Sequence, residues 1–292
     1  MGLAVKELSM KKHLTVIIPT YNRAEILQKC LKALVGQTYP VSGFEIVVVD
    51  DGSSDRTGEV SASFINEGVV DTKYFRQENK GPAAARNLGI KTAVGEVILF
   101  IGDDIIAAPD LLERHAAWHL KNTDFGAALL GYVTWDPALK TTPFMFWLEN
   151  GGPQFGFNEL EDGTEVGSCG FFYTCNISLK RRFLTEKGLF DEEFPYAAYE
   201  DSELGYRLKA AGLKLFFDRK ASALHHHDTS LEDACKRMIK VGESKKILNL
   251  KTGLPAYEPA PSLIQRILKV FKISLYYPLA VFFEKRKVKI VC

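Results

Sequence analysis

Residues 46–55 read IVVVDDGSSD, a run of four β-branched residues followed by two aspartates and a Gly-Ser turn. Short unbroken apolar runs are typical of strands that are buried on both faces, which occur mainly in parallel sheets. The same order of apolar run and polar stop occurs at residues 14–22 (LTVIIPTYN) and 97–104 (VILFIGDD). Helical patterns separate the three runs, among them an Ala-rich stretch that begins at Pro82. This alternation predicts an α/β fold, in which helices cover both faces of a parallel sheet.

The polar ends of these runs are the first candidates for a ligand site. In open α/β sheets, ligands bind beyond the carboxyl ends of the strands, so we expect residues 19–22, 50–55 and 102–104 to meet at one edge. Asp51 is then either a turn residue or a carboxylate that accepts hydrogen bonds from a nucleobase or ribose. The adjacent Asp103 and Asp104 either cap a helix or, with a divalent cation, bind substrate phosphates.

Two later segments carry further titratable groups. Asp201 follows Glu200 at the start of a predicted helix, where it either complements the helix dipole or acts as a general base. A late strand is predicted at residues 213–218, and His225, His226 and His227 follow it. If these histidines are extended, alternate side chains share one face. His225 and His227 would therefore point the same way, either as exposed residues or as ligands of a borderline cation such as Mn²⁺.

Composition limits the function classes. The 292 residues are 46% hydrophobic and 25% charged, which excludes a disordered chain. A net charge of +1 excludes a dedicated nucleic-acid binder, so we expect no nucleic-acid partner. The sequence has no P-loop motif and no GxSxG nucleophile elbow. It also has no GxGxxG after the first strand, which argues against a dinucleotide-binding Rossmann enzyme. Five scattered cysteines without a CxxC pair, and an N-terminus without a signal-peptide pattern, predict a cytoplasmic protein with reduced thiols.

Charge is distributed unevenly between the body and the C-terminal tail. Residues 263–292 contain seven basic residues and one acid, a net charge of +6, whereas the preceding 262 residues carry −5. Apolar residues recur at helical spacing among the basic ones, although the longest uncharged apolar stretch is too short for a membrane span. We expect the tail either to attach peripherally to an anionic membrane surface on the cytoplasmic face or to pack against the body.

Seven short motifs occur in an order that resembles the inverting nucleotide-sugar glycosyltransferases of family 2. They are VIIPTYN (16–22), VVDDGSSD (48–55), NKGPAAARN (79–87), FIGDD (100–104), CNISLKR (175–181), GLFDE (188–192) and YEDSELGYRL (199–208). The resemblance implies a GT-A-type fold, an α/β sandwich with a mostly parallel central sheet, over residues 1–228. Its nucleotide-binding half would lie at about 13–105 and its acceptor half at about 106–228. A basic, apolar helical extension would follow at 229–292.

The resemblance also implies roles for individual residues. Those that match the donor nucleotide site are Pro19, Tyr21, Asp51, Asn79, Arg86 and Asp103, the last at the ribose. Asp104 matches the cation ligand that ends the family's DxD motif, in which Gly102 replaces the first aspartate. His225 matches a further metal ligand, with His227 as a competitor, and Asp201 matches the general base.

These matches imply an inverting, hexosyltransferase-type enzyme that depends on Mn²⁺ or Mg²⁺. The donor would be a nucleoside diphosphate sugar, with a UDP-sugar favoured. The acceptor would be a hydroxyl of a glycan or a lipid-linked saccharide, as in polysaccharide biosynthesis. The alternative is a non-catalytic relative that binds sugar nucleotides or glycans on the same fold.

Overall fold

The computed structural model describes residues 13–150 and 154–252, which form one mixed sheet with helices around it. The strands are β1 (Leu14–Thr20), β2 (Phe44–Asp50), β3 (Asp71–Arg76), β4 (Val97–Ile101), β5 (Ile105–Ala107), β6 (Ala127–Trp135), β7 (Asn176–Lys180) and β8 (Lys214–His225). The α-helices are α1 (Ala24–Val35), α2 (Thr57–Glu67), α3 (Pro82–Thr92), α4 (Leu111–Lys121), α5 (Pro143–Asn150), α6 (Arg181–Lys187), α7 (Glu200–Ala210) and α8 (Leu231–Thr252).

The sheet has the strand order β3-β2-β1-β4-β7-β6-β8-β5. Its first four strands are parallel to one another, as the apolar runs predict. The other half is mixed, because β7 runs antiparallel to both β4 and β6 and because β5 runs antiparallel to β8. The α/β fold with a mostly parallel sheet is therefore confirmed, with the parallel character concentrated in the first hundred residues.

The three quoted apolar runs form the centre of the core. Every side chain of β2 and β4 is buried, and in β1 only Pro19 is partly accessible. Helix α3 lies close against β1, since a Cβ added to Gly89 would come within 2.5 Å of Ile17 Cγ2. Burial on both faces explains why these strands lack the polar alternation of a half-exposed sheet.

Two elements extend beyond what the sequence pattern indicates. Residues 135–169, expected as irregular loops, contain α5, which the indole N–H of Trp135 anchors by donating to the carbonyl oxygen of Met145 (2.9 Å). The late strand expected at 213–218 continues to His225, because β8 pairs in its second half with both β5 and β6. This extension brings the histidine run to the edge of the sheet where β4 ends.

Helix α8 packs beside the loop that precedes α7. Lys251 forms ion pairs with Asp191 (2.5 Å) and Glu193 (3.0 Å), and Arg237 donates a hydrogen bond to the carbonyl oxygen of Ala197 (3.2 Å). Within residues 13–150 and 154–252, no helix combines the length and the apolar character that crossing a bilayer requires. The predictions made for residues 263–292 lie outside the described residues.

Candidate active site

The turn after β1 and the turn after β2 are hydrogen-bonded to each other. Asn22, whose φ is +53°, accepts a 2.7 Å hydrogen bond from the backbone N–H of Ser54 on its side-chain oxygen. Asp55 accepts hydrogen bonds from the backbone N–H groups of Ala24 (2.9 Å) and Thr57 (3.0 Å), at the starts of α1 and α2. The predicted convergence of these polar segments at one sheet edge is confirmed.

The two aspartates after β2 have different surroundings. Asp50 is a structural residue, because its carboxylate accepts hydrogen bonds from the N–H of Ser53 (2.7 Å) and the hydroxyl of Tyr74 (2.5 Å). Asp51 instead accepts hydrogen bonds from the loop after β3: its Oδ1 from Gln77 (2.7 Å) and the N–H of Lys80 (2.8 Å), and its Oδ2 from the N–H of Gly81 (2.9 Å). A carboxylate offers about four acceptor positions, so Asp51 retains one for a ligand.

Asp103 and Asp104 lie side by side beyond β4. Asp103 Oδ2 accepts a hydrogen bond from Thr20 (2.8 Å), and Arg23 Nη1 donates to both Asp103 Oδ1 (2.8 Å) and Asp104 Oδ2 (3.0 Å). A Cβ on Gly102 would lie 2.7 Å from Asp104 Oδ1. The glycine at this position therefore leaves space for the Asp104 carboxylate.

Burial and neighbouring charges shift the two carboxyl pKa values in opposite directions. Burial, followed by repulsion from Asp104, raises the pKa of Asp103 to about 6. Burial also opposes ionisation of Asp104, but His225, His227 and Arg23 together outweigh it and hold the pKa of Asp104 well below its usual value. Asp104 is therefore the more acidic of the two carboxyl groups.

Both outer histidines of the run face Asp104, as the alternation of an extended segment predicts. Asp104 Oδ2 lies 3.2 Å from His225 Nε2 and 3.4 Å from His227 Nδ1. The ligand atoms of the three residues all fall within 4.8 Å of one another. One carboxylate oxygen with two imidazole nitrogens suits borderline Mn²⁺ better than Mg²⁺, which prefers oxygen ligands.

The middle histidine points away from this cluster and fixes its backbone. His226 Nδ1 lies 2.6 Å from Asp136 Oδ2, and Lys29 donates to His226 Nε2 (2.9 Å). The indole of Trp135 stacks on His225 with 5.2 Å between ring centroids. These contacts hold the histidine run against the end of β6 and orient its outer side chains.

Asp201 lies at the start of α7, beside Thr174. Its carboxylate accepts hydrogen bonds from the backbone N–H groups of Ser202 (2.7 Å) and Thr174. Burial is the main cause that raises the pKa of Asp201. Cys175 follows Thr174 and directly precedes Asn176, which pairs with Ile101 in the antiparallel register of β7 with β4. Burial, with smaller effects from Asp201 and Asp104, raises the pKa of its thiol to about 12.

The structure thus brings most of the sequence-predicted residues to one edge of the sheet. Tyr21 and Asn79 are exposed there, in the loops after β1 and β3. Arg86 is an exception, because its guanidinium is buried against Glu200 (2.8 Å) instead of lying open to a ligand. Thr20 and Arg23 are not among the residues predicted from the sequence. Thr20 lies within the VIIPTYN motif and Arg23 directly follows it.

Comparison with known proteins gives the family. The family model described as "Glycosyl transferase family 2" matches residues 15–187. Validoxylamine A glucosyltransferase of Streptomyces hygroscopicus subsp. jinggangensis is 31% identical over 229 residues, covering 71% of this chain and 54% of the relative. Chondroitin synthase of Escherichia coli is 26% identical over 295 residues, 91% of this chain and 42% of the relative. The chain spans about half the length of the curated relatives it matches.

Solved structures share the fold. Staphylococcus aureus TarS (residues 1–349), solved in complex with UDP, aligns with a TM-score of 0.59 and 23% identity over 80% of this chain and 65% of that one. Mannosyltransferase PcManGT of Pyrobaculum calidifontis, solved with GDP-Man and Mn²⁺, aligns with a TM-score of 0.62 and 19% identity over 96% of this chain and 75% of that one. The GT-A-type fold expected from the sequence motifs is confirmed.

Proposed function

This chain belongs to glycosyl transferase family 2, and from that premise we propose that it transfers a sugar from a nucleoside diphosphate sugar to an acceptor hydroxyl. The reaction is a metal-dependent single displacement that inverts the anomeric carbon. One observation carries the proposal: the ligand atoms of Asp104, His225 and His227 lie within 4.8 Å of one another, and the carboxylates of Asp104 and Asp201 both lie near enough to the Cys175 thiol to raise its pKa. That arrangement would supply a cation site and a base at the same edge of the sheet.

The donor nucleotide is proposed to bind along the turns after β1, β2 and β3. Pro19 and Tyr21 would contact the base, whose N–H would donate to the remaining acceptor position of Asp51. Asn79 borders the same turn, since its backbone nitrogen would lie 3.0 Å from a Cβ on Gly52. A base with a ring N–H, which uracil, thymine and guanine have and cytosine lacks, complements Asp51. Among the donors with such a base we favour a UDP-sugar. Asp103 would accept a hydrogen bond from the ribose.

Asp104 and His225, with His227 as the alternative imidazole, would hold Mn²⁺ or Mg²⁺ against the diphosphate. A divalent cation at this site supplies charge neutralisation for the departing nucleoside diphosphate. Asp201 would remove the proton of the acceptor hydroxyl as it attacks the anomeric carbon. The raised pKa of Asp201 makes it a stronger base than a free aspartate, which suits proton removal from an alcohol.

The acceptor is proposed to be a glycan or a lipid-linked saccharide. Helix α5 carries two exposed aromatic side chains, Phe146 (44% exposed) and Trp147 (52% exposed). The same helix is anchored to Trp135, which stacks on His225, so it lies beside the cation cluster. Aromatic side chains present flat apolar faces on which a sugar ring can pack. We further propose that the basic tail at residues 263–292 attaches the enzyme to an anionic membrane surface.

A donor screen tests the proposal. Calorimetry would measure the binding of UDP-, GDP-, CDP- and dTDP-sugars with Mn²⁺ and with EDTA, and a coupled assay would measure release of free nucleoside diphosphate. We expect one donor to bind in a cation-dependent manner and to release its nucleoside diphosphate. Binding without any release, even with glycan acceptors added, would identify a non-catalytic binding protein. Equal affinity with Mn²⁺ and with EDTA would contradict the metal site.

A further inference from the structure

Arg23 contacts the same atoms that would bind a cation. Its Nη1 lies 2.8 Å from Asp103 Oδ1 and 3.0 Å from Asp104 Oδ2, and its Nη2 lies 2.9 Å from His227 Nδ1. Asp104 and His227 are two of the three residues in the candidate cation cluster. One guanidinium group therefore neutralises both acidic side chains and uses two residues of the metal site.

These contacts compete with metal coordination for a simple chemical reason. An imidazole nitrogen has one lone pair, so His227 Nδ1 cannot accept from Arg23 and bind a cation at the same time. A divalent cation beside Asp104 Oδ2 would also repel a guanidinium that touches the same oxygen. Cation binding therefore requires Arg23 to leave its position.

The side chain of Arg23 has solvent-exposed space into which it can move. Its side chain is 33% exposed, whereas that of Asp103 is 7% exposed and that of Asp104 is 12% exposed, so its open side faces solvent at the ligand edge. A cation on Asp104 would bring the diphosphate of the donor to that side. Guanidinium groups pair well with phosphate oxygens, often through two parallel hydrogen bonds.

We propose that Arg23 is an internal counter-cation that occupies the metal site in the absence of donor and moves onto the donor diphosphate when cation and donor bind together. The proposal rests on the proposed glycosyltransferase function. This movement makes cation and donor binding interdependent. A cation alone would displace Arg23 and leave its charge without an anion. A donor alone would draw Arg23 away and leave Asp103 and Asp104 without a counter-charge. Arg23 is thus a donor-binding residue whose resting position lowers the affinity for free cation.

The test compares Arg23→Gln with the parent in two separate measurements. The affinity for Mn²⁺ alone, measured by electron paramagnetic resonance, should rise about tenfold, as expected when a like charge beside the cation is removed. The affinity for UDP at saturating Mn²⁺ should fall roughly tenfold, because a charge-assisted contact to phosphate is lost. A rise in Mn²⁺ affinity together with a fall in UDP affinity would identify Arg23 as a group that changes partners.

Two further variants serve as controls. Arg182→Gln removes an exposed arginine that pairs with Glu186 on α6. This helix follows the end of β7 that pairs with the start of β4, away from the proposed site, so the change should alter neither affinity. Arg23→Lys keeps the positive charge and should keep a Mn²⁺ affinity close to that of the parent. If Arg23→Gln leaves the Mn²⁺ affinity unchanged in an enzyme that transfers sugar, this inference is overturned while the proposed function stands. A parent protein that shows neither Mn²⁺ binding nor transfer would overturn both.

Discussion

Arg86 on α3 donates a 2.8 Å hydrogen bond from Nη1 to Oε1 of Glu200, the residue that precedes Asp201 on α7. Both side chains are buried, with 7% of Arg86 and 2% of Glu200 exposed. Arg86 Nε and Glu200 Oε2 have no hydrogen-bond partner among the described residues. The ion pair thus connects α7, which carries the proposed base, to α3, the helix of the NKGPAAARN motif. Each buried charge has the other as its counter-charge.

Removing one member of this pair should destabilise the protein. Arg86→Met leaves Glu200 buried without its counter-charge, and the free energy of unfolding should fall by about 3–5 kcal/mol in urea titrations. The double variant Arg86→Met/Glu200→Leu should recover most of that loss, because apolar side chains replace both charges. As a control, Arg182→Met breaks an exposed i,i+4 pair with Glu186 and should change stability by less than about 1 kcal/mol. Equal effects at positions 86 and 182 would contradict the buried-pair interpretation.

Asp201→Asn should abolish transfer and leave donor binding nearly intact, because a base acts on the acceptor and not on the nucleotide. The expected loss in kcat is about 100- to 10,000-fold, the usual contribution of general base catalysis. Steady-state kinetics and calorimetry with the best donor would measure the two quantities separately. Asp233→Asn, an exposed change on α8, is the matched control and should behave as the parent does.

The same assignment predicts the acid limb of the pH–rate profile. A base must be unprotonated to act, and burial raises the pKa of Asp201, so kcat should fall as the pH drops through that raised value. The fall should therefore begin at a higher pH than it would for a free aspartate. An active Asp201→Asn enzyme would disprove the role of Asp201, and Glu200, whose pKa burial raises to about 7, would become the next candidate.

Asp104→Asn should weaken nucleoside diphosphate binding only when Mn²⁺ is present. An amide oxygen carries no net charge, so the cation that links protein and diphosphate is held less tightly. The loss should exceed the roughly 10- to 100-fold typical of removing an outer-shell partner. Calorimetry with UDP, with Mn²⁺ or with EDTA, checks this, and Asp110→Asn, which disrupts an ion pair with Arg114 on α4, is the control. A similar loss with EDTA would show that Asp104 acts on the nucleotide without a metal.

Acid should destabilise the protein through two buried histidines on α4. His115 is fully buried and lies 2.7 Å from Ser178 Oγ, and His119 lies 2.8 Å from the same oxygen. Burial lowers the pKa of His115 to about 4 and that of His119 to about 3, against 6.5 for a free histidine side chain. The unfolded chain therefore binds more protons below pH 6.5, and stability is lost as the pH falls from 6.5 toward 4.

The size of this effect is measurable. His115 alone should contribute about 3 kcal/mol to the loss, from the linkage between pKa and stability. Urea unfolding at several pH values between 7 and 4 would compare the parent with His115→Gln, whose amide does not titrate. The variant should show a shallower pH dependence. An unchanged slope would mean that the pKa of His115 is the same in the folded and the unfolded chain.

The basic tail yields a prediction from charge alone. The full chain should sediment with anionic vesicles at low salt, since basic residues near an anionic surface contribute about 1 kcal/mol each, and it should not sediment with zwitterionic ones. Deleting residues 263–292 should abolish this binding and spare nucleotide binding. Sedimentation should also decline as salt screens the charges. Equal sedimentation of the full and shortened chains would contradict membrane attachment.

The sequence by itself determined the parallel half of the sheet and the location of the site. Unbroken β-branched runs such as Ile46–Val49 indicate strands buried on both faces, and parallel strands place their polar ends at one edge. The alternation of an extended chain was enough to put His225 and His227 on one face. Each of these conclusions depends on neighbours within a few positions of the chain, where periodicity and sterics act directly.

Only the tertiary structure decided which charged groups meet. Arg23 lies 80 residues from Asp103 in the chain, and Arg86 lies 114 residues from Glu200, and no local pattern encodes either pair. The Arg23 contact follows from the parallel pairing of β1 with β4 and the Arg86 contact from the path of α7, which fix distances that a single sequence leaves open. Long charged side chains also choose among several partners according to burial, because an unpaired buried charge is too costly to keep. The family of the chain could therefore be identified from its motifs, whereas the contacts of Arg23 and Arg86 emerged only from the folded arrangement.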